Sequence, residues 1–138
     1  MYMYIRRAIT ALIATGMIVA SAFSAGATGS GRLIEVIADK DNTFKVPGQQ
    51  KPVITGKPGE LIVLRITSHF GGEQARDGSQ HSFVVKKLRG QGWDIRLKEG
   101  TQDFTLVAPQ EQGDYLIECT VKCGRGHDDM NMKLVVSN

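Results

Sequence analysis

Near the end of the chain, two cysteines, a histidine and a methionine fall within twelve residues, from Cys119 to Met130. Their spacings are C-x3-C, C-x3-H and H-x2-M, with Cys123 and His127 between the ends. A second imidazole, His81, lies 38 residues before Cys119. Thiolate and thioether are soft donors that favour Cu(I), while imidazole also suits Cu(II), so together they make the ligand set of a copper redox site. Gly124 and Gly126 let the backbone turn back sharply, so that the donor side chains can converge. To bring His81 into the same shell, the fold has to place its segment on a strand beside the one leading into Cys119. That requirement narrows the architecture more than any other feature of the sequence.

The rest of the chain supplies such strands. Arg32 to Ala38 is rich in branched residues and reads as a strand. Asp39 to Asn42 supplies turn residues, and Thr43 to Val46 resumes an extended pattern before Pro47-Gly48. Lys51 to Thr55 is a short extended piece, broken by Gly56 and by Pro58-Gly59. Glu60 to Thr67 alternates most clearly: Ile62, Leu64 and Ile66 make one apolar face, and the other face turns polar at its end. Further strands are expected over His81–Lys86, Trp93–Leu97, Asp103–Val107, Tyr115–Cys119 and Met132–Val136, with a turn at Leu88–Gly92. Tyr115, Ile117 and Cys119 share one face, which turns Cys119 inward. No helical periodicity follows the first 27 residues. Short strands between turn signals indicate an all-β Greek-key sandwich with the donors at one end. The polar stretch Ser68–Gln80 is long for a connection inside such a domain and, ending just before His81, should border the donor face.

Residues 1–27 read as a secretory signal: Arg6 and Arg7 precede an apolar run from Ala8 to Ala22, and Ala25-Gly26-Ala27 has the form of a cleavage site. The run is short for a membrane span, which needs about 20 residues, although an uncleaved anchor is the alternative. Residues 28–138 then form one domain of 111 residues, enough for a sandwich core. Removing the two arginines turns 17 basic against 14 acidic residues into 15 against 14. So small a net charge gives no case for a nucleic-acid partner. Export puts the domain in the periplasm or another extracytoplasmic space.

The run Cys119-x3-Cys123-x3-His127-x2-Met130, preceded by His81-Ser82-Phe83-Val84-Val85, resembles the dinuclear copper A site of cytochrome c oxidase subunit II, of the cupredoxin superfamily. The resemblance covers residues 33–137 and is nearer the short-chain forms. It implies two copper ions bridged by the thiolates of Cys119 and Cys123, with one imidazole each from His81 and His127. Met130 would be a weak thioether ligand, and the backbone carbonyl of Val121, midway between the cysteines, would complete the set. Many family members have glutamate where Val121 stands, but a carbonyl needs no particular side chain. The resemblance further implies an electron carrier with no catalytic residues of its own, placed between a cytochrome c-like donor and a terminal oxidase or other respiratory acceptor. A copper chaperone is a possible loading partner. Nitrous oxide reductase carries the same kind of site, but its catalytic cluster needs many more histidines than the three present.

Other readings of the same residues stay open at this level. Two cysteines in an exported chain also suit a structural disulfide. One cysteine could serve a mononuclear blue-copper site, and a Cu(I) chaperone could use the same donors. A Cys2His2 zinc site fits less well, since it gains nothing from Met130 and usually pairs its histidines closely. Within the copper A reading, the lack of a long apolar helix and of an aromatic run before the first strand favours a free carrier over an oxidase subunit. His69 matches no ligand position and reads as a loop residue. Trp93, the only tryptophan, reads as a packing residue.

Overall fold

The computed structural model describes residues 30–138, so the expected signal at residues 1–27 lies outside the described residues. The strands are β1 (Arg32–Ala38), β2 (Phe44–Lys45), β3 (Val53–Gly56), β4 (Leu61–Ser68) and β5 (His81–Val84). They continue with β6 (Asp94–Leu97), β7 (Gly100–Val107), β8 (Gly113–Glu118) and β9 (Asn131–Val136). One sheet has the order β2-β1-β4-β7 and the other β3-β9-β8-β5-β6. β1 runs parallel to β4, and β3 parallel to β9, while the remaining pairs are antiparallel. The chain crosses from one sheet to the other at β2–β3, β3–β4, β4–β5, β6–β7 and β7–β8, which gives the Greek-key sandwich expected from the sequence.

The alternation in β4 decides which face goes inside. Ile62, Leu64 and Ile66 are fully buried, and across the interior they meet Phe83, Ile117 and Leu134 from the opposite sheet in one apolar cluster. Arg65, on the outer face, pairs with Asp103 on β7. Phe44 and Phe83 join the two sheets with ring centroids 5.3 Å apart at 77°, an edge-to-face contact. Trp93 is fully buried and donates its indole N–H to the Val107 carbonyl at 3.0 Å, at the end of the sandwich away from Cys119.

Several boundaries differ from the sequence expectation, each for a local reason. β3 begins at Val53 instead of Lys51, because Pro52 has no N–H to give to a ladder. β7 reaches back to Gly100, since it pairs along all of β4, with Ser68 opposite Gly100. The turn expected at Leu88–Gly92 is a 3-10 helix over Lys86–Gln91, closed by Gly92 at φ 90°. Six residues of such a helix are too few to show a period in sequence. Among the described residues no helix is long and apolar enough to cross a membrane.

At the end of the sandwich opposite Cys119, Arg32 donates to the Thr55 carbonyl and to Glu60, with Nε 2.6 Å from Oε1. The Arg32 guanidinium, helped by the Lys57 N–H, holds the Glu60 carboxyl down to about 2, well below its ordinary 4.5. The unfolded chain therefore binds more protons than the folded one between those values, so this contribution to stability is present above about 4.5 and lost as pH falls through about 2. Urea midpoints measured from pH 5 to pH 2 should fall more steeply for the wild type than for Glu60→Gln. Parallel curves would show that the pair contributes nothing.

Candidate metal centre

The site is assembled by the pairing of β5 with β8. Val84 lies opposite Glu118 in antiparallel register, which carries His81 at the start of β5 towards the segment just beyond the end of β8. Ser82 fastens the junction: its N–H donates to Cys119 Sγ at 3.4 Å, and its Oγ accepts from the Thr120 N–H at 2.7 Å. The inward alternation read for Tyr115, Ile117 and Cys119 continues past the strand, leaving Cys119 buried.

From Cys119 the chain loops and returns into β9. The Cys119 N–H donates to the Met130 carbonyl at 3.1 Å, closing the loop at its base. Gly126, at φ 94°, precedes a short 3-10 turn over His127–Asp129, which turns the chain back so that Met130 lies beneath Cys123. Cys123 Sγ thereby sits 3.8 Å from Cys119 Sγ, 3.8 Å from Met130 Sδ and 3.5 Å from His127 Nδ1. Cys119 Sγ is also 3.2 Å from the Val121 carbonyl oxygen. One ring nitrogen of His81 and the two sulfurs all lie within 4.8 Å of one another. All six residues singled out in the sequence are thus gathered at one place. The sulfurs are free thiols, well beyond the ~2.05 Å of a disulfide bond.

No protein-family model matches the sequence, and no curated protein matches it. Solved structures are similar in fold. A chain of a heme-copper terminal oxidase dimer superposes with a TM-score of 0.56 at 17% identity, over 80% of this chain and 68% of that one. The periplasmic domain of subunit II of cytochrome oxidase (CoxB) of Bradyrhizobium japonicum gives 0.52 at 13% identity, over 78% and 84%. Auracyanin A, a blue copper protein of Chloroflexus aurantiacus, gives 0.51 at 20% identity, over 78% and 100%. The fold is cupredoxin-like.

Within this cupredoxin-like frame the donors suit a soft, redox-active metal. The His81 ring is fully buried, and its Nε2 lies 2.7 Å from the His69 carbonyl. A carbonyl can only accept, so Nε2 carries the proton and Nδ1 keeps its lone pair. That Nδ1 is buried with no hydrogen-bond partner. An orphaned acceptor costs about 1–3 kcal/mol, and ring orientation through the second nitrogen is how metal-binding histidines are commonly fixed. Burial pushes His81 below its ordinary value, with the His69 carbonyl acting against that shift, and this keeps the imidazole neutral. The residues therefore fit a copper ion. His69, expected as a loop residue, is one, but its backbone oxygen orients His81. Nothing in the sequence marks that role. Ser82 and Thr120, which adjoin His81 and Cys119, likewise carry no mark of their role in the sequence.

Burial, reinforced by the neighbouring Cys119 sulfur, pushes the Cys123 thiol up to about 12. Cys119 borders a groove of about 340 Å³ lined also by Lys86, Thr120 and His127, whereas Cys123 is fully enclosed. In the reduced, metal-free protein at pH 8, iodoacetamide should therefore modify Cys119 first. It should reach Cys123 far more slowly than free cysteine, because a buried and protonated thiol is a poor nucleophile. Peptide mapping by mass spectrometry reads the order, and equal rates at both positions would contradict the burial described.

Proposed function

We propose that this protein is an extracytoplasmic electron carrier whose six gathered donors hold a dinuclear copper A centre. The observation that carries the proposal is the buried, unpartnered Nδ1 of His81 beside two free thiols 3.8 Å apart. Cys119 and Cys123 would bridge the metals, His81 and His127 would give one imidazole each, and Met130 and the Val121 carbonyl would be the weak ligands. A copper pair held by these donors would supply one-electron transfer with little rearrangement.

The chain's own residues supply position and exclusion of water. The His69 carbonyl sets the ring angle of His81, and the Ser82 N–H, which points at the Cys119 sulfur, would stabilise it as a metal-bound thiolate. His127 is only half-buried and so offers a route from the site to a partner at the surface. The partners would be a cytochrome c-like donor and a respiratory acceptor such as a terminal oxidase. Export through residues 1–27 would place the domain in the periplasm. The full enclosure of His81 and Cys123 favours a carrier over a chaperone, which needs ligands that it can surrender. The likeness in fold to a heme-copper terminal oxidase chain favours a second reading, an oxidase subunit, and co-purification with haem would decide for it.

Copper analysis with electron paramagnetic resonance tests the centre. The reduced chain loaded with copper should hold two ions and show hyperfine splitting from one electron shared by both nuclei. Cys123→Ser should hold at most one and lose that splitting. Met130→Leu, which keeps the volume, should retain two ions with an altered spectrum. One ion in the wild type, or none, would reject the proposal.

A further inference from the structure

The turn from β1 to β2 contains Asn42, the one non-glycine residue among the described residues with positive φ, at 57°. It is also 2% exposed. Its side chain serves two other loops. Nδ2 donates to the Gly71 carbonyl at 3.0 Å and to the Arg125 carbonyl at 2.7 Å. Both partners only accept, so the amide must present its NH2 to them, and Oδ1 is left buried without a partner. An asparagine that served only its own turn would use that oxygen to accept from a nearby backbone N–H. Here the oxygen is forgone so that both hydrogens reach neighbouring loops.

Those two loops are in backbone contact under the amide. A Cβ on Gly71 would lie 1.8 Å from Asn42 Oδ1 and 2.9 Å from the Cys123 carbonyl oxygen. A Cβ on Gly124, at φ 125°, would lie 2.4 Å from the Gly71 oxygen. The Glu73 N–H, two residues beyond Gly71, donates to the Cys123 carbonyl at 3.1 Å. The turn is itself anchored to the His81 strand, because Phe44 packs edge-on against Phe83.

We propose that Asn42 is the positioning residue of the metal-binding loop. It ties that loop and the 69–80 loop to the β1–β2 turn, and so holds Cys123 and His127 near His81 before any metal arrives. The clamp rests on the copper proposal only in naming the loop metal-binding; its geometry is that of the metal-free chain.

The test compares the wild type with Asn42→Gly, which keeps the backbone conformation but deletes the amide. Thr43→Ala is the control, since the Thr43 hydroxyl bonds Asp41 within the turn itself. In the reduced, metal-free full chain, amide exchange at Glu73 and His127 should rise about thirtyfold, the factor expected for losing two neutral hydrogen bonds. Exchange in β4 and β9 should stay unchanged. After copper loading, Asn42→Gly should release copper to a chelator about tenfold faster and show altered hyperfine splitting, a comparable loosening of the ligands. Thr43→Ala should match the wild type throughout. Should Asn42→Gly fail to fold, Gly71→Ala wedges the same loops apart and should give the same local rise. Unchanged exchange, a uniform rise across all strands, or faster local exchange with an unchanged copper spectrum would each overturn the clamp. A wild type that takes up no copper, with the local exchange rise still seen in Asn42→Gly, would overturn the copper proposal and leave the clamp standing.

Discussion

The antiparallel pairing of β5 with β8 decides whether His81 and Cys119 meet, and the site depends on it. Only Val84 and Glu118 form a ladder pair, but Ser82 and Thr120 extend the contact towards the open end through two hydrogen bonds. On its other side β5 is pinned by β6 along four residues, from His81 opposite Leu97 to Val84 opposite Asp94. A one-residue slip would turn His81 and Phe83 outward and bring Ser82 to the core, since side chains alternate with a period of two. Phe83 opposes such a slip most strongly. It is fully buried and braced by Phe44 from the facing sheet. Register, core and donor placement are thus fixed by the same residues.

Polar groups at the donor end are held differently from those elsewhere. The outer-face ion pairs, such as Arg65 with Asp103, are exposed and contribute little beyond solubility and strand pairing. At the donor end the polar atoms are enclosed, and several, among them His81 Nδ1 and Asn42 Oδ1, have no partner. In an ordinary core this would be a liability, because each unmade hydrogen bond costs about 1–3 kcal/mol. The His81 ring is fully buried and its other nitrogen is held by the His69 carbonyl, so Nδ1 does not reach water. A lone pair that cannot reach solvent is available to a ligand.

Much of this could be read from the chain alone, and the part that could not has a common cause. The alternation of Ile62, Leu64 and Ile66 gave the inner face of β4, and that of Ile117 and Cys119 turned the first thiol inward. Both are properties of a residue and its neighbours two positions away. The spacing from Cys119 to Met130 is local as well. Asn42 and the His69 carbonyl act across 83 and 12 residues respectively, and each looks like any other turn or loop residue in sequence. The 3-10 helix after β5 and the early start of β7 leave no mark in the sequence for related reasons: one is too short to show a period, and the other is set by its partner strand.

Val121 shows how the interior, as well as the site, selects a residue. Its carbonyl faces Cys119 Sγ, while its side chain is 3% exposed and belongs to the apolar cluster. A glutamate in that orientation would bury a carboxylate among apolar side chains, which a protein interior resists unless the charge is paired. Valine therefore fits the direction in which this loop turns the position, and it leaves the carbonyl free to point at the donors. The charge at the tip of the loop is then carried by Lys122, exposed and paired with Glu73 of the 69–80 loop at 3.4 Å. The 69–80 loop lies alongside that tip. The loop packs its backbone against Gly124 and offers Glu73 to the surface, where a carboxylate keeps its water while still meeting Lys122.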